Sequence, residues 1–115
     1  MSSLEDECKK CIESCKKCYT YCKKKNLIKA QDLCYQCICV CKLVCELSNI
    51  ENCTLEKSSD KLCISACKFC IKECGKYKHV TVCSECIEAC KNCIQSIMSE
   101  YSSDNNEQNK DDNME

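Results

Sequence analysis

The sequence predicts an all-α protein, an antiparallel up-down-up-down four-helix bundle with a cysteine-lined core. Three observations carry this. Cysteines recur three and four residues apart in four separate runs, which is the period of one helix face. The 115 residues include no Pro and a single Gly, Gly75, leaving little material for the tight turns of a β-rich chain. The connections between runs are short, which favours antiparallel neighbours.

Composition assigns cysteine an unusual role. Nineteen Cys and 17 Lys stand beside no Arg and no Trp, and Val, Ile, Leu and Phe together number only 21. That is too little apolar side chain for an ordinary interior, so cysteine has to act as core, as ligand, or as both.

Helix 1 is predicted near 3–24, where Cys8, Cys11, Cys15, Cys18 and Cys22 fall within an arc of about 80°. Ser2 with Glu5 makes a capping-box pattern at its start, and Lys23-Lys24-Lys25-Asn26 suits a C-terminus. Helix 2, near 28–49, carries Cys34, Cys37, Cys41 and Cys45 on one stripe; Cys39 lies more than about 90° from it. Helix 3, near 59–75, follows the cap candidates Ser58-Ser59-Asp60, holds Cys63, Cys67, Cys70 and Cys74, and closes at Gly75 as a left-handed residue. Helix 4, near 80–101, has Thr81 as its cap and holds Cys83, Cys86, Cys90 and Cys93, with Ile97 at the next stripe position. Cys53 stands alone between helices 2 and 3. Residues 1–101 are thus one Cys-rich bundle, and 102–115, dominated by Asn, Asp, Ser and Gln, are expected to be a disordered acidic tail.

An internal repeat supports the same architecture. Cys8-x-x-Cys11-Ile12-Glu13-x-Cys15-Lys16-x-Cys18 returns as Cys83-x-x-Cys86-Ile87-Glu88-x-Cys90-Lys91-x-Cys93. An isoleucine follows Cys at positions 12, 64, 71, 87 and 94, with Tyr19 in the equivalent place. These residues sit beside the Cys stripe, where one helix meets the next, so an Ile seam holds the bundle while cysteine points inward.

Charge and motif content exclude several functions. The net charge of −1 divides into −4 on residues 102–115 and +3 on residues 1–101. With so mild a balance and no Arg, nucleic-acid binding is not expected. No run approaches the length of a membrane span, and the N-terminal segment lacks the basic-then-apolar pattern of a secretory signal, so a cytoplasmic location is expected. One His, no Gly-rich phosphate loop and no G-x-S-x-G motif give catalysis nothing to assemble, so the protein is read as a non-enzyme.

In a reducing compartment dense cysteine points to metal rather than to disulfides. Neighbours three or four apart on one helix also meet the geometry of a disulfide poorly. Four tetrahedral zinc sites would consume 16 thiolates and leave eight negative charges in the interior, which is costly. Cu(I) fits better. It is soft, prefers thiolate sulfur, and with bridging thiolates reaches about one metal per Cys, so that each Cu⁺ cancels one thiolate charge.

Cys-x-x-Cys-x-x-x-Cys-x-x-Cys repeated over four helices resembles the four-helix-bundle copper storage proteins. The resemblance covers roughly residues 4 to 98 and is densest from Cys63-Ile-Ser-Ala-Cys67-Lys-Phe-Cys70-Ile-Lys-Glu-Cys74 through His79 to Cys93. It implies storage or buffering of many Cu(I) ions on the stripe cysteines of all four helices, in a homo-oligomer (a tetramer by the resemblance) that is cytosolic in members without a signal. No copper donor or acceptor protein is implied. Family helices begin or end near His residues that help copper in, whereas this chain has only His79, in the helix 3–4 connection. His79, Cys53 and Met98 are therefore additional candidate ligands. The rival readings are a zinc or mixed-metal thiolate buffer of metallothionein type, and a disulfide-bonded helical scaffold.

Overall fold

The computed structural model describes residues 3–102, which form four helices: α1 (Leu4–Lys24), α2 (Ile28–Leu47), α3 (Glu56–Cys74) and α4 (Thr81–Ser102). A short 3-10 helix, Gly75–Tyr77, joins α3 to α4. Each helix packs against its neighbours in sequence, and α4 returns to pack against α1. Cross-helix pairs run in opposite senses: Cys8 meets Cys93, Cys11 meets Cys90, Cys15 meets Cys86 and Cys18 meets Cys83. Cys34 with Cys70, Cys37 with Cys67 and Cys41 with Cys63 repeat the pattern between α2 and α3. The bundle is therefore antiparallel and up-down-up-down, as expected. The tail expected from 102 onward falls outside the described residues, except that Ser102 is the last residue of α4.

Helix ends show where local signals hold and where packing overrides them. Ser3 caps α1, its hydroxyl accepting from the Asp6 amide at 3.1 Å. The expected cap, Ser2, lies outside the described residues. Glu5, Asp6 and Glu7 in the first turn and Lys23 and Lys24 in the last complement the helix dipole. The C-terminus of α1 is a Schellman turn: Asn26 is left-handed at φ 60°, the Leu27 amide donates to the Cys22 carbonyl and the Asn26 amide to that of Lys23. At the end of α2, Ser48 Oγ and Asn49 Nδ2 both donate to the Cys45 carbonyl, satisfying a group the helix itself leaves open.

Three expectations about helix ends need correction. Ser58, Ser59 and Asp60 do not precede α3 but lie inside it, because the helix begins at Glu56. Ser59 and Asp60 are buried, and the extra turn carries Asp60 to the Tyr101 hydroxyl of α4. Gly75 is right-handed at φ −59°, so it does not reverse the chain; the helix tightens instead into the 3-10 turn. Thr81 is the first residue of α4 rather than its cap, since the Val80 carbonyl already accepts from the amides of Cys83 and Ser84.

The interior has two concentric parts. Cysteines occupy the axis, and a seam surrounds them: Ile12 and Ile38 are buried, while Ile64, Ile71, Ile87, Ile94 and Tyr19 are half-buried against the core. The rings of Tyr19 and Tyr35 meet at a tilt of 43°, centroids 5.7 Å apart, joining α1 to α2. Ile97 is fully buried and the next layer beyond Cys93. The Asp60–Tyr101 hydrogen bond pins α3 to α4 at that same end. Burial pushes the Asp60 carboxyl up, and the Tyr101 hydroxyl partly offsets this by donating to it.

Tyr101→Phe should therefore lower stability by about 1–3 kcal/mol, because it leaves a buried carboxylate without its donor. Chemical denaturation of the two proteins at neutral pH checks this, and an unchanged midpoint would mean the contact is dispensable.

Candidate metal centre

Sixteen of the nineteen cysteines are wholly withdrawn from solvent, all of them on the four predicted stripes. They are Cys8, Cys11, Cys15, Cys18 and Cys22 of α1; Cys34, Cys37 and Cys41 of α2; Cys63, Cys67, Cys70 and Cys74 of α3; and Cys83, Cys86, Cys90 and Cys93 of α4. The helical period explains this: steps of three and four keep each run on one face, and all four faces converge on one axis. Cys39 is exposed, as its phase requires. Cys45, expected to complete the α2 stripe, is only half-buried. It lies in the last turn of α2, past the outermost full sulfur layer, where Val44 takes the buried place.

The sulfurs form a continuous ladder. Between α1 and α4 they stand 3.6–3.7 Å apart, and between α2 and α3 3.7–3.9 Å. Two contacts cross the axis itself, Cys18 to Cys74 at 3.8 Å and Cys37 to Cys90 at 3.9 Å. None of the cysteines is paired as a disulfide, and these separations are far beyond the S–S bond length of about 2.0 Å.

Sets of four sulfur atoms lie within 4.8 Å of one another from Cys8 and Cys93 near one end to Cys18 and Cys74 toward the other. Cys8, Cys41, Cys63 and Cys93 form one such set, with one thiol from each helix; so do Cys11, Cys41, Cys67 and Cys93, and Cys18, Cys34, Cys74 and Cys86. Cys11, Cys15, Cys37 and Cys90 form another, and Cys15, Cys70, Cys86 and Cys90 a fifth. The sets overlap, sharing Cys11, Cys15, Cys41, Cys86, Cys90 and Cys93. A sulfur shared by two sets would bridge two metals, and bridging suits Cu(I) thiolate chemistry. Three of the sets share no sulfur and could in geometry each take a zinc ion. Each Zn(Cys)₄ would keep two negative charges in a dry interior, so the overlapping, neutral Cu(I) arrangement is favoured.

Of the additional candidates, Met98 is half exposed on the outside of α4, and His79 is exposed in the connection before it. Cys53 is half-buried in the α2–α3 connection. Two groups near the sulfurs were not anticipated from the sequence. Asp60 closes one end of the bundle, and its phase with Cys63 and Cys67 was a usable signal. Glu73, buried beside Cys74, pairs with Lys76 at 3.2 Å and with Lys29 of α2 at 3.8 Å.

Protonation follows from burial and from sulfur-to-sulfur hydrogen bonds. Burial pushes Cys22 up to about 12 and Cys45 to about 11, and it raises Cys83 as well. Deeper in, hydrogen bonds with Cys11 and other neighbours raise Cys41, while those from Cys41 first and then Cys67 draw Cys63 down to about 6. Charge on one sulfur is thus tied to protons on those around it. Metal must displace these protons to bind.

A sign follows for alkaline stability. A thiol raised above its ordinary value of 9.0 favours the fold below that pH, and its contribution is lost as pH climbs toward the folded value. Cys63, drawn down, acts in the opposite sense between about 6 and 9, and the other lowered sulfurs likewise act only below 9. Above 9 the raised thiols, joined above 10 by the Tyr101 hydroxyl that burial also raises, set a falling slope. The melting temperature of the reduced, metal-free protein, followed by circular dichroism, should fall steadily from pH 9 to 11; a flat or rising profile would contradict the buried-thiol assignment.

Comparison with known proteins bears on the same geometry. A search of curated proteins found no match to the chain. The family model of copper storage protein (Csp) matches residues 1–104, nearly the whole sequence. The chain, with its overlapping sulfur sets along a four-helix axis, belongs to the copper storage protein family.

Proposed function

We propose that the protein stores and buffers Cu(I), holding many ions in its bundle core as a neutral copper–thiolate array and so also limiting copper toxicity. The observation that carries this reading is the overlap of the four-sulfur sets, which lets one thiolate serve two metals along the axis from Cys8 to Cys18. The ligands in this reading are the sixteen buried cysteines together with Cys45. Copper is cargo here, bound and released without chemical change, so the role is storage rather than catalysis. Free thiols at this density suit the cytoplasm, where they stay reduced. Self-association belongs to the same reading, supported by the apolar side chains of Ile28, Tyr35, Leu43 and Phe69 exposed on α2 and α3.

Titration of reduced protein with Cu(I) against a competing chelator should saturate near one copper per core cysteine, about 17. Saturation at about four equivalents would indicate isolated tetrahedral sites and favour a zinc-type buffer.

Cys39→Ser and Cys41→Ser separate the stripe from the outward face of the same helix. Cys39 is exposed, so its loss should leave capacity within about one equivalent of the parent. Cys41 belongs to two sulfur sets, so its replacement should lower both copper content and the melting temperature of the loaded form. Equal losses in the two variants would contradict the register of α2.

A further inference from the structure

We propose that the outer face of α3 is the docking site of the chain's own acidic segment, residues 103–115, laid along a row of lysines. The inference is independent of the copper reading and concerns a surface which that reading does not use.

Helical phase builds the face. Lys57, Lys61, Lys68 and Lys72 fall within an arc of about 60° on α3, well away from the arc of Cys63, Cys67, Cys70 and Cys74. All four are exposed, and none makes an ion pair among the described residues. Glu56, the first residue of α3, is the one exposed acid of that helix. Its other two acids are buried and already engaged, Asp60 by Tyr101 and Glu73 by Lys29 and Lys76. Like charges four residues apart on a helix repel, so the row calls for an anion.

The fold delivers one to this face. The Asp60–Tyr101 hydrogen bond holds the start of α3 against the end of α4, where residue 103 follows. Residues 103–115 carry five acids, Asp104, Glu107, Asp111, Asp112 and Glu115, against one lysine, Lys110. The resulting −4 matches the four lysines. Lys57 to Lys72 spans about 22 Å of helix, and thirteen residues reach about 43 Å when extended. From its point of attachment the segment can therefore cover the whole row.

The other side of α4 repels it. The groove between α4 and α1 is lined by Glu7, Glu13, Glu85 and Glu88 with a single lysine, Lys10, which pairs with Glu7 at 3.8 Å. Lys9 and Lys16 are likewise paired, with Glu5 and Glu13. Lys42 of α2 and Lys91 of α4 stand singly, and Lys23, Lys24 and Lys25 lie at the opposite end of the bundle. Each exposed ion pair contributes little by itself. Several on one tether add up, because the tether sets an effective concentration on the order of millimolar. Docked, the segment cancels the positive face and keeps other polyanions from it.

The test is zero-length carbodiimide cross-linking of the reduced, metal-free full chain, prepared as an equal mixture of unlabelled and isotope-labelled protein and mapped by mass spectrometry. Cross-links should join the acids of 103–115 to Lys57, Lys61, Lys68 and Lys72 within one chain. Their yield should fall about threefold or more between about 20 mM and about 0.5 M salt. Absence of these cross-links, cross-links chiefly to Lys9, Lys16 or Lys23, cross-links only between chains, or a yield indifferent to salt would overturn the proposal. Lysine acetylation gives a second reading without a cross-linker. Replacing the five acids together (Asp104→Asn, Glu107→Gln, Asp111→Asn, Asp112→Asn and Glu115→Gln) should speed acetylation of the four α3 lysines about twofold or more. Both the cover and the charges that keep those amines protonated are then gone. Lys23 and Lys24 should keep the parent rate; equal acceleration there, or none on α3, would also overturn the docking.

Discussion

A bundle interior lined with thiols can be neutral in two ways, by keeping its protons or by exchanging each one for Cu⁺. The rest of the structure depends on that equivalence. Protonated thiols are small, weakly polar side chains that pack like other apolar groups, so the helices can close around an empty core. Thiolates are soft anions, and a dry interior tolerates them only when each meets a cation. Sulfurs held 3.6–4.0 Å apart suit both conditions: they share protons as hydrogen bonds when empty, and their overlapping sets share metals when loaded. A core of aliphatic residues would be as stable and would hold nothing.

The helices themselves are held by other residues. Isoleucines beside each stripe and the tyrosines of α1 and α2 supply the interhelical contact, which leaves the axis to cysteine. This division explains how so small a complement of Val, Ile, Leu and Phe supports a bundle: they line the seams rather than fill the centre. It also separates stability from function, because seam residues can hold the four stripes in register whatever the occupancy of the axis.

The two ends of the bundle are built differently. One is sealed by the Schellman turn after α1, by the 3-10 turn after α3 and by Glu73, which ties α3 to α2 through Lys29. The other is closed on its axis by Ile97 and Asp60 but keeps Cys45 near the surface. Lysines at 23, 24, 25, 29, 76 and 78 gather at the first end, whereas the second mixes both signs, as in the Lys9–Glu5 pair.

The spacing of cysteine determined most of this by itself. Steps of three and four on an α-helix admit only one face, so the sixteen inward thiols and the outward Cys39 were legible from position alone. The Lys23–Asn26 stop was equally local, because a left-handed Asn and the amides that follow it close a helix within one turn. Local signals failed where a distant partner competed with them. Ser59 and Asp60 have cap chemistry, yet they lie within α3, where Asp60 reaches Tyr101, a residue 41 positions away. Gly75 had the freedom to reverse the chain, but the 3-10 turn that leads into α4 left that freedom unused. Cys45 matched the stripe in phase and still stayed half-exposed, because burial at the rim depends on which layer the neighbouring helices reach. Phase along a helix is a property of the chain; depth along the bundle axis is a property of the assembled helices, and only the tertiary structure decided it.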